Sequence, residues 1–195
     1  IDFDEPFTTL RNQGMILAPD GKKMSKSWNN TIEPDNLIEQ GYGADSIRLM
    51  ELFIGPWNQS ANWSVEGLGG TFRFLQRTWT LVQEFLEGTK KQKTKNKEQT
   101  VGRDAEVETR IARTTHKAIK KVSEDLHELG FNTAIAALME TVNELYKIKG
   151  EHSFKQASET WHEALSLLVQ LLAPFAPHIA EEMWQALGHD TSVHL

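Results

Sequence analysis

Six apolar residues, Leu68, Phe72, Leu75, Trp79, Val82 and Leu86, recur every three or four positions. At 3.6 residues per turn this spacing lines one face of a helix over about 65–86. The period returns three more times. Val107, Ile111, Ala118, Val122, Leu126 and Leu129 centre on one side of a helix over about 104–128, closed by Gly130. Asn132 reads as the N-cap of a third helix that reaches Lys149 and stops at Gly150. A fourth spans about 154–172. Pro174 and Pro177 break it, and a short fifth helix ends at Gly188. Helices that are apolar on one face bury that face by packing on one another. The expected fold is therefore mainly α, a bundle of four long helices and a short one.

The first 64 residues follow another pattern. Met15 to Leu17 suits a short strand, and Pro19-Asp20-Gly21 is a turn signal. Pro34 opens a short helix ending near Gly41. Another runs over 45–53, with Ile47, Leu49, Met50 and Phe53 inward and Arg48 pointing elsewhere. Residues 55–64 read as a loop. This region is too short and irregular for a domain, and it reads as the end of a unit whose core lies upstream. The chain opens on Ile1 in what looks like folded sequence, as a fragment would.

The chain has no cysteine, which excludes disulfides, thiolate metal sites and a cysteine nucleophile. No basic-then-apolar leader precedes the acidic start, and the apolar stretch Leu165–Ala176 is too short to span a bilayer. The seven histidines show no metal-ligand spacing. His178 and Glu182, one turn apart, read as a surface contact. Gly67, Gly69 and Gly70 do not form a dinucleotide fingerprint. The six tryptophans read as bundle anchors rather than a base-stacking platform.

The formal charge of −6 hides local contrast. Residues 88–103 hold six basic residues and one acid, and 88–102 reads as a polar connection between two long helices. On the second long helix, Arg110, Arg113, Lys117, Lys120 and Lys121 form a stripe about 140° from the apolar side. Such a stripe is ordinarily a solvated face. It also suits tracking of a phosphate backbone.

The densest positive charge is in Gly21-Lys22-Lys23-Met24-Ser25-Lys26-Ser27-Trp28-Asn29-Asn30. On composition alone this is a basic surface turn. It is not a Walker loop, because the glycine spacing and the Gly-Lys-Ser/Thr ending are missing. Two ammonium groups and two hydroxyls on a loop nevertheless suit a polyphosphate, whose transition-state charge they would neutralise. No nucleophile–base pair lies nearby, so the chemistry would be electrostatic rather than covalent.

Lys23-Met24-Ser25-Lys26-Ser27 matches in full the signature of class I aminoacyl-tRNA synthetases. Its setting strengthens the likeness: DGKKMSKS, Asn30, Ile32-Glu33-Pro34, then a helix and Tyr42-Gly43-Ala44-Asp45-Ser46-Ile47-Arg48. That succession resembles the enzymes for leucine, isoleucine, valine and methionine. NWSVEGLGGTFRFLQRTW, GFNTAIAALMETVNELY and LLAPFAPHIAEEMWQALGH look most like the leucine branch of bacterial type.

The resemblance implies the end of a catalytic domain over 1–33, a stem-contact segment over 34–64 and an anticodon-binding bundle over 65–195. It implies ATP and Mg2+ as cofactors, leucine and tRNA(Leu) as partners, a cytoplasmic monomer without membrane association, and a fragment inactive alone. Lys26 would be the main ligand of the β- and γ-phosphates and Lys23 its support, with Met24, Ser25 and Ser27 shaping the loop. No residue is implied as a metal ligand. The stripe residues and Arg48 become candidates for tRNA contact, as do Arg73 and Arg77. Arg77 could equally pair with an acid inside the bundle. Fragments of the isoleucine, valine or methionine enzymes, a stand-alone tRNA-binding module and a purely structural bundle are the competing readings. The sequence departs from the family pattern at Trp28-Asn29-Asn30, where a glycine commonly precedes the asparagine. Asn29 can take the left-handed backbone in its place, and Trp28 would pack under the loop.

Overall fold

The computed structural model describes residues 7–93 and 104–195. Seven helices follow a two-residue strand: β1 (Ile16–Leu17), α1 (Pro34–Glu39), α2 (Ala44–Phe53), β2 (Ala61–Asn62), α3 (Val65–Lys93), α4 (Ala105–His127), α5 (Phe131–Glu151), α6 (Ser158–Leu172) and α7 (Pro177–Ala186). Short 3-10 turns lie at Lys26–Trp28 and Phe154–Ala157. The mainly helical fold expected from periodicity is the fold observed.

The second strand was not expected. Ala61–Asn62, inside the expected loop, pairs in parallel with Ile16–Leu17. The segments approach closely because Gly14 has no side chain. A Cβ there would stand 1.9 Å from the Gln59 carbonyl oxygen. Two residues of strand carry too little alternation to register as a pattern.

Helix α3 runs past Gly88 to Lys93. Gly88 faces Phe154, and the Thr89 hydroxyl donates to the carbonyls of Phe85 and Leu86, so local bonding continues the helix. The lysine-rich connection expected over 88–102 lies mostly outside the described residues. At the α4–α5 corner Leu129, not Gly130, takes the left-handed backbone (φ 59°). Helix α5 starts at Phe131 with Gly130 as its N-cap, which places Asn132 inside the helix, and Gly150 does not stop it.

The buried face of α3 is rotated from the expected one. Leu68, Thr71, Phe74, Leu75, Thr78, Leu81, Val82 and Phe85 are buried, whereas Trp79 lies 36% exposed. Thr71 and Thr78 lie on this face, and both are fully buried. Thr71 donates to Ser46 O (3.1 Å) and Leu68 O (2.9 Å), and Thr78 to Phe74 O (3.0 Å). A hydroxyl satisfied by a carbonyl can be buried at small cost.

Two apolar clusters hold the molecule. The larger joins α3 to α7 around Ile111, Ile135, Leu138, Leu145, Trp161 and Leu168. Complete burial of side chains of this size contributes roughly 1.5–3 kcal/mol each. The smaller gathers Leu37, Ile47, Met50, Trp63 and Leu68, with Ile16, Met24, Ile32, Tyr42 and Ile54 packed on it. Helix α2 serves both: Leu49 points into the large cluster, Ile47 and Met50 into the small one. Met50 also lies so close to α3 that a Cβ on Gly67 would meet its Cε at 2.7 Å.

Candidate functional site

The basic loop is built from its own backbone and one side chain. Asn30 turns inward: its Oδ1 accepts the Ser25 N–H at 2.8 Å, and its Nδ2 donates to Lys23 O at 3.2 Å. The backbone closes on Trp28 N–H to Ser25 O (3.1 Å) and Asn29 N–H to Lys26 O (3.2 Å). Asn29 adopts the left-handed conformation (φ 51°, ψ 35°), as its short polar side chain permits. The hydroxyls of Ser25 and Ser27 lie 2.8 Å apart.

Met24 anchors the loop, being half-buried against the small cluster. Trp28 does not pack under the loop. It is 63% exposed, and Lys22 Nζ stands 5.8 Å from its ring.

Lys23 and Lys26 are both exposed, and neither ammonium has a partner among the described residues. Two cations are thus held on a fixed turn, unneutralised and open to solvent. The arrangement can grip an anion with several oxygens, and among the described residues no nucleophile–base pair lies in the loop.

The basic stripe on α4 divides. Arg110 faces α5, where Nη2 and Nε meet Glu144 Oε1 at 2.7 and 3.2 Å and Nη1 contacts Glu151. The hydrogen bond from Arg110 holds the Glu144 carboxyl below its ordinary range. Lys121 pairs with Asp125 at 2.7 Å, and Lys120 reaches Glu124 at 3.9 Å. Arg113 and Lys117, one turn apart and exposed, have no partner among the described residues. Elsewhere Arg48 donates weakly to Pro174 O (3.5 Å), and Arg77 donates to Asn143 Oδ1 (2.8 Å) and lies 4.9 Å from the Tyr146 ring. The partner of Arg77 is an amide and an aromatic ring, not an acid.

His178 does not pair with Glu182. Its Nδ1 meets Asp45 Oδ1 at 2.8 Å. Trp63, Trp161 and Trp184 are buried anchors, whereas Trp28 and Trp79 are exposed. Sequence reasoning passed over Asn30 as a structural residue and missed Asp45 and Glu144. For Asn30 the available signal was an amide shortly after a serine-rich turn. For the two acids there was none, since their partners are far away in the chain. Among the described residues, no three His, Asp or Glu side chains gather as a metal site, and no helix is long and apolar enough to cross a membrane.

A signature loop closed by Asn30 is packed on a small core and followed by a helical bundle, and each of these two parts is similar to a family of tRNA ligases. A family model described as tRNA synthetases class I (I, L, M and V) matches residues 1–64, and one described as the anticodon-binding domain of tRNA ligase matches residues 108–195. Leucine–tRNA ligases are among the proteins similar to this chain in sequence. The chain is 47% identical to that of Herpetosiphon aurantiacus over all of its length and 22% of the relative's. It is 48% identical to that of Chlorobaculum tepidum over 97% of its length and 21% of the relative's. In the crystal structure of the ternary complex of Agrobacterium radiobacter K84 agnB2 LeuRS, tRNA and LeuAMS, a segment superposes with a TM-score of 0.81 and 37% identity, covering 98% of this chain and 24% of that one. The chain therefore spans about a fifth to a quarter of the proteins it matches.

Proposed function

We propose that this chain is the segment of a leucine–tRNA ligase that carries the ATP-phosphate loop and a helical bundle holding tRNA(Leu). The observation that carries the reading is the pair Lys23 and Lys26, unneutralised on a loop that Asn30 and Met24 hold in shape. The division into a catalytic-domain end over 1–33, a stem-contact segment over 34–64 and an anticodon-binding bundle over 65–195 belongs to the same proposal.

In the full-length enzyme a carboxylate oxygen of leucine attacks the α-phosphorus of ATP. The bond to the bridging oxygen of the β-phosphate breaks, and pyrophosphate leaves with the electron pair. Lys26, supported by Lys23, stabilises the charge that accumulates on the β- and γ-oxygens. Mg2+ bound with the ATP would supply further neutralisation of the phosphate charge beside Lys23 and Lys26. The terminal ribose 2′-hydroxyl of tRNA(Leu) then attacks the acyl carbon, and AMP departs. This chain's share of the first step is electrostatic. Its share of the second is to hold the tRNA body, and Arg113 and Lys117 are the stripe residues best placed for phosphate contact. The fragment alone is inactive, and the full-length enzyme works as a cytoplasmic monomer.

The test is amino-acid-dependent pyrophosphate exchange by the full-length enzyme, run with leucine, isoleucine, valine and methionine in turn. Exchange with leucine alone is expected. Exchange driven by another of the four would move the assignment to that branch, and none with any would sink it.

A further inference from the structure

Asp45 lies near the start of α2 and is buried to 7% exposure. Its carboxylate serves α7 rather than its own helix. Oδ2 accepts the Ile179 N–H at 2.7 Å, and Oδ1 meets His178 Nδ1 at 2.8 Å, across more than 130 residues of sequence. Helix α7 has no cap of its own, since Ala176 at its N-cap has no side-chain oxygen. Asp45 is therefore a cap supplied from another helix, and its negative charge sits at the positive end of α7.

The surroundings make this contact matter. A cleft of about 1310 Å³ opens beside it, with Phe72 and Trp79 of α3 on one side and Ile179 and Glu182 of α7 on the other. Packing does not fill that space, so the N-terminal end of α2 is not wedged against α7 by apolar side chains there. Arg48, one turn along α2, adds a weak bond to Pro174 O at the α6–α7 corner. Polar contacts thus join this end of α2 to α7 and to the corner before it.

The same helix carries the signature loop's footing. Met24 packs on the cluster containing Ile47 and Met50, the neighbours of Asp45 along α2. A continuous line runs from the loop through Met24 and α2 to Asp45 and α7.

We infer that Asp45 is a positioning residue, which sets where the phosphate-gripping loop stands relative to the tRNA-holding bundle. The inference rests on the function proposed above. Adenylate formation needs the loop and the nucleotide pocket, and neither requires the bundle in register. Transfer needs both at once, so a shift of the joint falls selectively on the tRNA step, where a displacement near 1 Å can cost on the order of 100-fold.

The experiment compares Asp45→Ala and Asp45→Glu with the parent in the full-length enzyme. Leucine-dependent pyrophosphate exchange without tRNA is measured beside leucylation of tRNA(Leu), with circular dichroism and a thermal melt as controls of folding. For Asp45→Ala, exchange within about twofold of the parent and leucylation kcat/KM reduced at least about tenfold are expected. Asp45→Glu should restore part of the loss, because a carboxylate can still reach the Ile179 N–H. Equal losses in exchange and leucylation would make Asp45 merely structural, and a lowered melting temperature with both activities intact would also overturn the inference. A parent that shows no leucine-dependent exchange would refute the functional reading itself, and this inference with it.

Discussion

Arg110 Nη2 stands 2.7 Å from Glu144 Oε1, and the guanidinium also contacts Glu151, so the most N-terminal cation of the α4 stripe is bound to α5. The pair ties together the two helices that pack most closely in the bundle. Replacing Glu144 by Ala leaves Arg110 half-satisfied and should lower the urea midpoint with the slope unchanged. Lys120→Ala, which loses an exposed contact of 3.9 Å, should leave the midpoint where it was. Equal effects of the two substitutions would show that the Arg110–Glu144 pair contributes nothing special.

Arg113 and Lys117 are the stripe cations without partners among the described residues. In tRNA binding by this chain, Arg113→Ala and Lys117→Ala should each weaken affinity and reduce the salt slope by about one ion. Arg110→Gln should change the slope much less, because its charge already faces two carboxylates. A titration of fluorescent tRNA at several salt concentrations reads both quantities.

Lys26→Ala in the full-length enzyme should lower the rate of adenylate formation by roughly 100- to 1000-fold while the KM for ATP moves little. The ammonium is exposed and has no partner among the described residues, so the loop and the fold should survive the change. Single-turnover adenylate formation measures the step directly. A near-normal rate would remove Lys26 from the mechanism.

His189 stacks on Trp184 at a centroid distance of 3.5 Å, and its Nε2 lies 3.0 Å from Ser166 Oγ. Burial, aided by the neighbouring His162, holds its imidazole below the ordinary value of 6.5. The neutral ring is thus the form the fold prefers. Its contribution to stability is complete above pH 6.5 and is lost as pH falls from there through the folded-state value. His189→Gln should flatten the decline of stability over that window. Urea unfolding at a series of pH values, with an NMR titration of the His189 ring, tests the sign and the window.

Helix period, turn residues and the signature loop were legible in the sequence because each is decided by residues a few positions apart. Asn29 could be expected to take the left-handed turn from its own side chain, and it does. Where the sequence misled, a local rule met a distant partner. The hydroxyl of Thr71 leaves it out of an apolar pattern, but the Ser46 carbonyl on another helix satisfies it. Trp79 looked inward, but the face of α3 that carries it borders the cleft.

The primary sequence alone determined the helical architecture and where along the chain the charged side chains cluster. The tertiary structure decided which polar side chains already have a partner. Arg110 is taken by Glu144, 34 residues away, and His178 by Asp45, 133 away. The physical reason is that helical periodicity is set by backbone geometry within a few residues, whereas an ion pair or a borrowed helix cap exists only after packing has brought remote segments within about 3 Å.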